Sequence, residues 1–186
     1  MSTPSRRTLT GLVTGAAVLA AVGAGAVAVD LTGSDAPATA QVALAADASP
    51  GNLRQSTHLS VDAATRAAQA ALRAAQQKNQ RVSVAVVDRD GNTLVTLRGD
   101  GAGPQSYDSA ERKAFTAVSW NAPTTELGKR LTSAPQLADI PGTLFLGGGV
   151  PVTTGGAPVA GIGVAGAPSG DLDEEFARAG AAELSR

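Results

Sequence analysis

Two pairs of carboxylates stand at three-residue spacing in this chain: Asp108 with Glu111, and Asp171 with Glu174, the second interleaved with Asp173 and followed by Glu175. Side chains at i and i+3 share one face of a helix. Each pair can therefore present hard oxygen donors together, the donor type that suits hydrated ferric or ferrous iron. The same acids in a helix's first turn also meet the positive end of its dipole favourably, and the spacing leaves both readings open. Lys113, beside the first pair, is expected on a solvated face. Nucleophilic and zinc chemistry find less support. The chain has no cysteine and one histidine, His58, which excludes disulfides, thiolate nucleophiles and iron–sulfur clusters. One imidazole cannot furnish a typical zinc site, nor a Ser/His/Asp triad with redundancy. Neither G-x-S-x-G nor H-E-x-x-H occurs. The glycine runs Gly147-Gly148-Gly149 and 161–166 lack the GK[ST] ending of a phosphate loop and the dinucleotide spacing, so turns and close strand approaches are expected there.

Positioning these groups falls to a series of short elements. Ser60 reads as an N-cap. Val61, Ala64, Ala68, Ala71, Leu72 and Ala75 then recur at helical spacing, which predicts an amphipathic helix over 60–79. The β-branched run 82–87, bounded by Asp90-Gly91, predicts a hairpin strand with 93–98 returning, and 99–104 a loop. Ala110, Ala114, Phe115 and Val118 line one side of a second helix from Ser106, which Pro123 ends. A short helix around 124–131 follows. Residues 143–146, 150–154 and 158–164 are expected as short strands, with Gly155-Gly156 turning between the last two. Residues 171–184 close the chain as a helix with Phe176, Gly180 and Leu184 inward. The order α-ββ-α-βββ-α implies an α+β domain: an antiparallel sheet of about five strands packed with helices.

Bulk properties narrow the class. The chain has 186 residues, 43% hydrophobic and 17% charged, enough apolar content to exclude a disordered protein. A net charge of −1 supplies no basic field for nucleic acid. With 3% aromatics and 22 glycines, the core must be built from Ala, Val, Leu and Ile. At the N-terminus, Arg6 and Arg7 precede an uncharged run over 11–29 and a small-residue stretch around 36–46, the order of a secretory signal. Ser5-Arg6-Arg7-Thr8-Leu9 resembles a twin-arginine signal. Cleavage is expected between Ala40 and Ala46. That gives a signal and leader over 1–45, a flexible segment over 46–57, a folded domain over 58–186, and a secreted, extracellular or wall-associated protein.

Five pieces in order carry a family resemblance. They are Val84-Ala85-Val86-Val87-Asp88-Arg89-Asp90-Gly91, Lys113-Ala114-Phe115-Thr116-Ala117, Gly147-Gly148-Gly149-Val150-Pro151-Val152, Gly161-Ile162-Gly163-Val164-Ala165-Gly166 and Asp173-Glu174. Together they resemble the GlcG/HbpS-like haem-binding family, its secreted branch best, across essentially everything from Leu59 to Leu184. The resemblance implies a homo-octamer that binds haem, can degrade it, captures iron and modulates the extracellular domain of a redox-sensing histidine kinase. It also implies that acidic pairs of the D/E-x-x-E type hold iron, which favours Asp108 with Glu111 and Asp171 with Glu174. A haem needs an apolar slot, an axial ligand and cations for its propionates. The sole methionine is Met1, so the strong axial donors are His58 and Tyr107, whose plainer roles are a solvated leader histidine and a half-buried packing residue. The secreted branch instead attributes the haem iron to a threonine in an apolar segment. The matching stretch is Ile140-Pro141-Gly142-Thr143-Leu144-Phe145-Leu146, with Thr143 in that position, and a neutral hydroxyl implies weak, exchangeable binding. The plainer role of Thr143 is that of a strand residue. The resulting expectation is a secreted haem- and iron-binding protein that buffers or degrades haem and reports oxidative stress. The alternatives are a haem-degrading enzyme with true turnover and a haem-independent accessory octamer of a sensor kinase.

Overall fold

Alternation along one strand organises the molecule. The computed structural model describes residues 46–185; the expected signal and the cleavage positions before Ala46 lie outside them. The first helix, α1, is Val61–Gln77, and the Ser60 hydroxyl caps it by accepting from the Ala63 amide. Its stripe Ala64, Ala67, Ala68, Ala71 and Ala75 is fully buried. The strands β1 (Ser83–Asp88) and β2 (Thr93–Arg98) form the expected hairpin. Helix α2 is Ser106–Trp120, ended by Asn121 in the left-handed region two residues before Pro123, and α3 is Thr124–Arg130. The strands β3 (Gly149–Thr154) and β4 (Ala157–Ala165) follow, joined through Gly155-Gly156. Helix α4, Gly170–Glu183, starts on a Ser169 cap.

The sheet runs β2-β1-β4-β3 with every pairing antiparallel. The register sets Val86 opposite Ile162 and Val84 opposite Val164, so these four side chains share a face. That face carries the larger core, closed by the alanines of α1 and by Phe176 and Ala177 of α4. The opposite face is made of Ala85, Val87, Gly161 and Gly163, and α2 lies on it. A Cβ at Gly163 would strike the Ala110 carbonyl oxygen, and one at Gly161 the Ala114 carbonyl oxygen. The alternation Gly161-Ile162-Gly163-Val164 thus gives β4 a branched face for one layer and a bare backbone face for the other. This is the close strand approach expected of that glycine run.

The structure corrects several expectations. Among the described residues there are four strands, not about five: residues 143–146 form no strand. Gly142, at φ +79°, bends the chain there. The backbone beyond it bonds to α2 side chains instead of a neighbouring strand: Leu144 N–H donates to Thr116 Oγ1 at 2.7 Å, and Arg112 donates to the Thr143 carbonyl at 2.6 Å. Helix α1 stops at Gln77, short of Asn79, which takes φ +54°. Two short 3-10 turns, Pro50–Asn52 and Pro135–Asp139, were not anticipated. Lys113 is not on a solvated face but 5% exposed. Its ammonium donates to Asp173 Oδ2 at 2.8 Å and to the Val164 carbonyl at 3.0 Å. Because the glycine face draws α2 close to β4, a long side chain one position from Ala114 reaches past the strand to α4. No helix among the described residues is long and apolar enough to cross a membrane.

Candidate functional site

The loop between Ile140 and Leu146 is pinned to α2 from two successive turns. Arg112 holds the Thr143 carbonyl, and Thr116, one turn on, accepts the Leu144 amide. Phe145 adds a side-chain anchor by packing edge-to-face on Trp120, with centroids 5.7 Å apart. The loop and α2 enclose a pocket of about 270 Å³ lined by Arg112, Leu131, Ala138, Thr143, Leu144, Phe145 and Leu146. Thr143 is 2% exposed, and its hydroxyl donates to the Ile140 carbonyl at 2.8 Å. That bond uses the hydroxyl proton and leaves the oxygen with lone-pair capacity. Flanking it, Ile140 and Leu146 are 39% and 60% exposed. A second, smaller pocket of about 160 Å³ lies between the β1–β2 hairpin and α2, with Glu111, Arg112, Phe115 and Gly142 among its lining.

The other candidates fall in different places. Asp108 is exposed and Glu111 half-buried on α2, where Glu111 accepts from Thr96 Oγ1 at 2.8 Å. Asp171 is exposed in the first turn of α4. Its partner Glu174 is buried and engaged at both oxygens: Oε1 takes Arg178 at 2.7 Å, and Oε2 takes the Thr125 hydroxyl and amide at 2.6 and 3.0 Å. Burial alone would raise the Glu174 carboxyl, but those bonds outweigh it and hold it below its usual range. Asp173 shifts the other way, pushed up because burial outweighs the attraction of Lys113. Tyr107 is 40% exposed and lines neither pocket.

His58 is absent from both linings and meets the hairpin turn instead. Its Nε2 shares a 2.6 Å hydrogen bond with the Ser56 hydroxyl, and Nδ1 lies 3.6 Å from Asp90 Oδ2. Donor atoms of His58, Asp88 and Asp90 lie within 4.8 Å of one another. Asp88 is already the organiser of the turn, since its Oδ1 accepts the Asp90 and Asn92 amides. Burial would raise its carboxyl, but the Asn92 and Asp90 bonds and nearby His58 bring it below the usual range. Sequence reasoning missed Arg112, the one charged group in the Thr143 pocket. A basic residue beside an acidic pair carries no spacing signature of its own.

Residues 59–182 match the family described as haem degrading protein HbpS-like. The chain belongs to that family. Solved structures agree with its HbpS-like fold. A double mutant of HbpS from Streptomyces reticuli, in which two glutamates three positions apart are aspartates, is 75% identical, with a TM-score of 0.74 over 75% of this chain and 96% of that one. The crystal structure of a PduOC:heme complex is 28% identical, with a TM-score of 0.63 over 68% of this HbpS-like chain and 95% of that one. An uncharacterized 15.0 kDa protein of the dhaT-dhaS intergenic region of Citrobacter freundii is 32% identical over 118 residues, 61% of this chain and 83% of that protein.

Proposed function

We propose that this HbpS-like protein binds haem at the Thr143 pocket and inorganic iron at Asp108 and Glu111, and that it buffers both outside the cell. The observation that carries the haem reading is the pocket itself: apolar walls, one hydroxyl oxygen and one guanidinium, in a chain of the haem-degrading HbpS-like family. The residue types fit the group, with Leu131, Leu144, Phe145 and Leu146 sheltering a macrocycle and Thr143 offering the iron an oxygen donor. At about 270 Å³ the pocket lies just below the roughly 300–1,000 Å³ typical of sites that engulf a small ligand. It therefore shelters part of a porphyrin and leaves the rest accessible, in keeping with exchangeable binding. Bound haem supplies redox-active iron. The chain's own residues bind it, orient it and partly exclude water. No carboxylate or imidazole lines the pocket, so haem loss in this reading is oxidation by peroxide and not turnover by an acid–base site.

The iron reading rests on donor chemistry. Asp108 is exposed and Glu111 borders the smaller pocket with one oxygen engaged by Thr96. The altered glutamates of the Streptomyces reticuli variant share the three-residue spacing. Asp171 with Glu174 makes the weaker set, because both Glu174 oxygens already have partners. Export, and signalling to the extracellular domain of a redox-sensing kinase, complete the proposal. They are supported by the order of the N-terminal segments and by the family likeness.

A hemin titration and a ferric iron titration on the same variants test the two-site assignment. Thr143→Ala is expected to weaken the Soret change while leaving iron uptake near wild type. Asp108→Ala with Glu111→Ala is expected to do the reverse. Loss of both ligands by either variant would refute separate sites. No Soret change with the wild-type protein would favour the haem-independent accessory role, and sustained turnover under a defined reductant the enzyme.

A further inference from the structure

Arg112 is the one charged side chain lining the apolar pocket at Thr143. Its Nη2 donates to the Thr143 carbonyl at 2.6 Å, and among the described residues its remaining N–H groups meet no acceptor and no ion-pair partner. Among the described residues no carboxylate lies within ion-pair distance of it, and the neighbouring Glu111 accepts from Thr96 instead. The residue is exposed, yet the bond to Thr143 fixes where its charge sits, at the rim of a pocket otherwise lined by carbon and one hydroxyl. A guanidinium carries five donors in a rigid fork that matches a carboxylate. One N–H on a backbone carbonyl leaves a full edge of that fork available.

We infer that Arg112 is the carboxylate-binding group of this pocket: it takes a propionate of the haem while its Nη2 stays on the Thr143 carbonyl. The inference rests on the haem reading above and adds the feature that would orient the ligand. A porphyrin has a flat apolar body with its carboxylates on one edge, and a pocket with one cation at its rim fixes which edge faces out. Arg112 would also position the oxygen donor, since the carbonyl it holds belongs to the residue that carries the hydroxyl.

The test compares hemin with hemin dimethyl ester, whose propionates are capped, on the wild-type protein and on Arg112→Met and Arg112→Lys. The ester is the more apolar ligand, so each protein is scored by its ratio of hemin to ester affinity. The wild-type ratio is expected to exceed that of Arg112→Met by on the order of tenfold, the size of a hydrogen bond to a charged group. Arg112→Lys, which keeps the charge without the fork, is expected to fall between them. An arginine that only held the loop would weaken both ligands equally and leave the ratio unchanged, and that result would overturn the inference. So would a wild-type protein that favours the ester, as the apolar walls alone would do, a comparison that needs no variant to fold. In that case hemin binding that still responds to Thr143→Ala would leave the haem reading intact. Wild-type protein that binds neither ligand would overturn both.

Discussion

Glu174 and Asp173 are neighbours on α4 whose carboxyls are driven in opposite directions, which makes stability depend on pH in a way that can be apportioned. Glu174 is held below its usual range by Thr125 and Arg178 in spite of burial. The unfolded chain therefore takes up that proton first as pH falls. The stability it contributes is present above the ordinary carboxylate range and is lost as pH drops through its depressed value. Asp88 has the same sign. Asp173, pushed up by burial, has the opposite one: its contribution is fullest below the ordinary carboxylate value and declines as pH rises through the raised value. Glu174→Gln should thus cost about 1–3 kcal/mol at neutral pH, and the gap to wild type should narrow towards pH 3. Urea unfolding at the two pH values measures it. A gap that widens with acid would reverse the assignment. At this scale the sequence was only half informative. Its three-residue spacings located the acids, but an i, i+3 pair looks the same whether its oxygens face solvent or, like those of Glu174, are taken by Thr125 of α3 and Arg178 of its own helix. Lys113 was misplaced for a related reason, because a charged residue in an amphipathic pattern is assigned to the wet side unless its partner, 60 residues on, is known.

The elements were more legible than their partners. Alanine spacing, the Ser60 cap and the Asp90-Gly91 turn specify α1 and the hairpin from local chemistry alone. The loop at 140–146 was the exception. Its apolar, Thr- and Phe-containing run has the composition of a strand, and the bonds that make it a loop come from Arg112 and Thr116, side chains on a distant helix. The bare face of β4 gives a prediction at this scale. Gly163→Ala places a methyl on the Ala110 carbonyl, backbone that cannot rotate away, so α2 must lift from the sheet. The expected cost is about 3 kcal/mol or more, at or above the upper end of overpacking. Gly51→Ala, which meets nothing within 4 Å, should stay within about 0.5 kcal/mol of wild type. Thermal melts of the two variants decide. An unperturbed Gly163→Ala would mean that α2 does not rest on the strand backbone.

For the molecule as a whole, the exposed apolar side chains bear on assembly. Tyr107, Ile140 and Leu146 are 40%, 39% and 60% exposed, apolar surface that a second copy of the chain would cover. Exported protein should therefore run as a symmetric oligomer in light scattering, with a new N-terminus between Ala40 and Ala46. A stable monomer at micromolar concentration, or an intact Met1 on membrane-bound material, would contradict it. The number of copies is not written in periodicity or composition, because it depends on surfaces that only a second molecule completes.

The buried Lys113–Asp173 bond also sets an angle. Glycine strands offer α2 a smooth bed, and a helix lying on bare backbone has few interlocking side chains to stop it turning about its own axis. Each residue advances that axis by about 100°, so a small roll would carry Arg112 off the Thr143 carbonyl and Thr116 off the Leu144 amide together. The ammonium passing β4 to reach α4 acts as a key in a slot: it fixes the roll of the cylinder. The geometry of the Thr143 pocket is thereby registered by a buried ion pair that is not part of its lining.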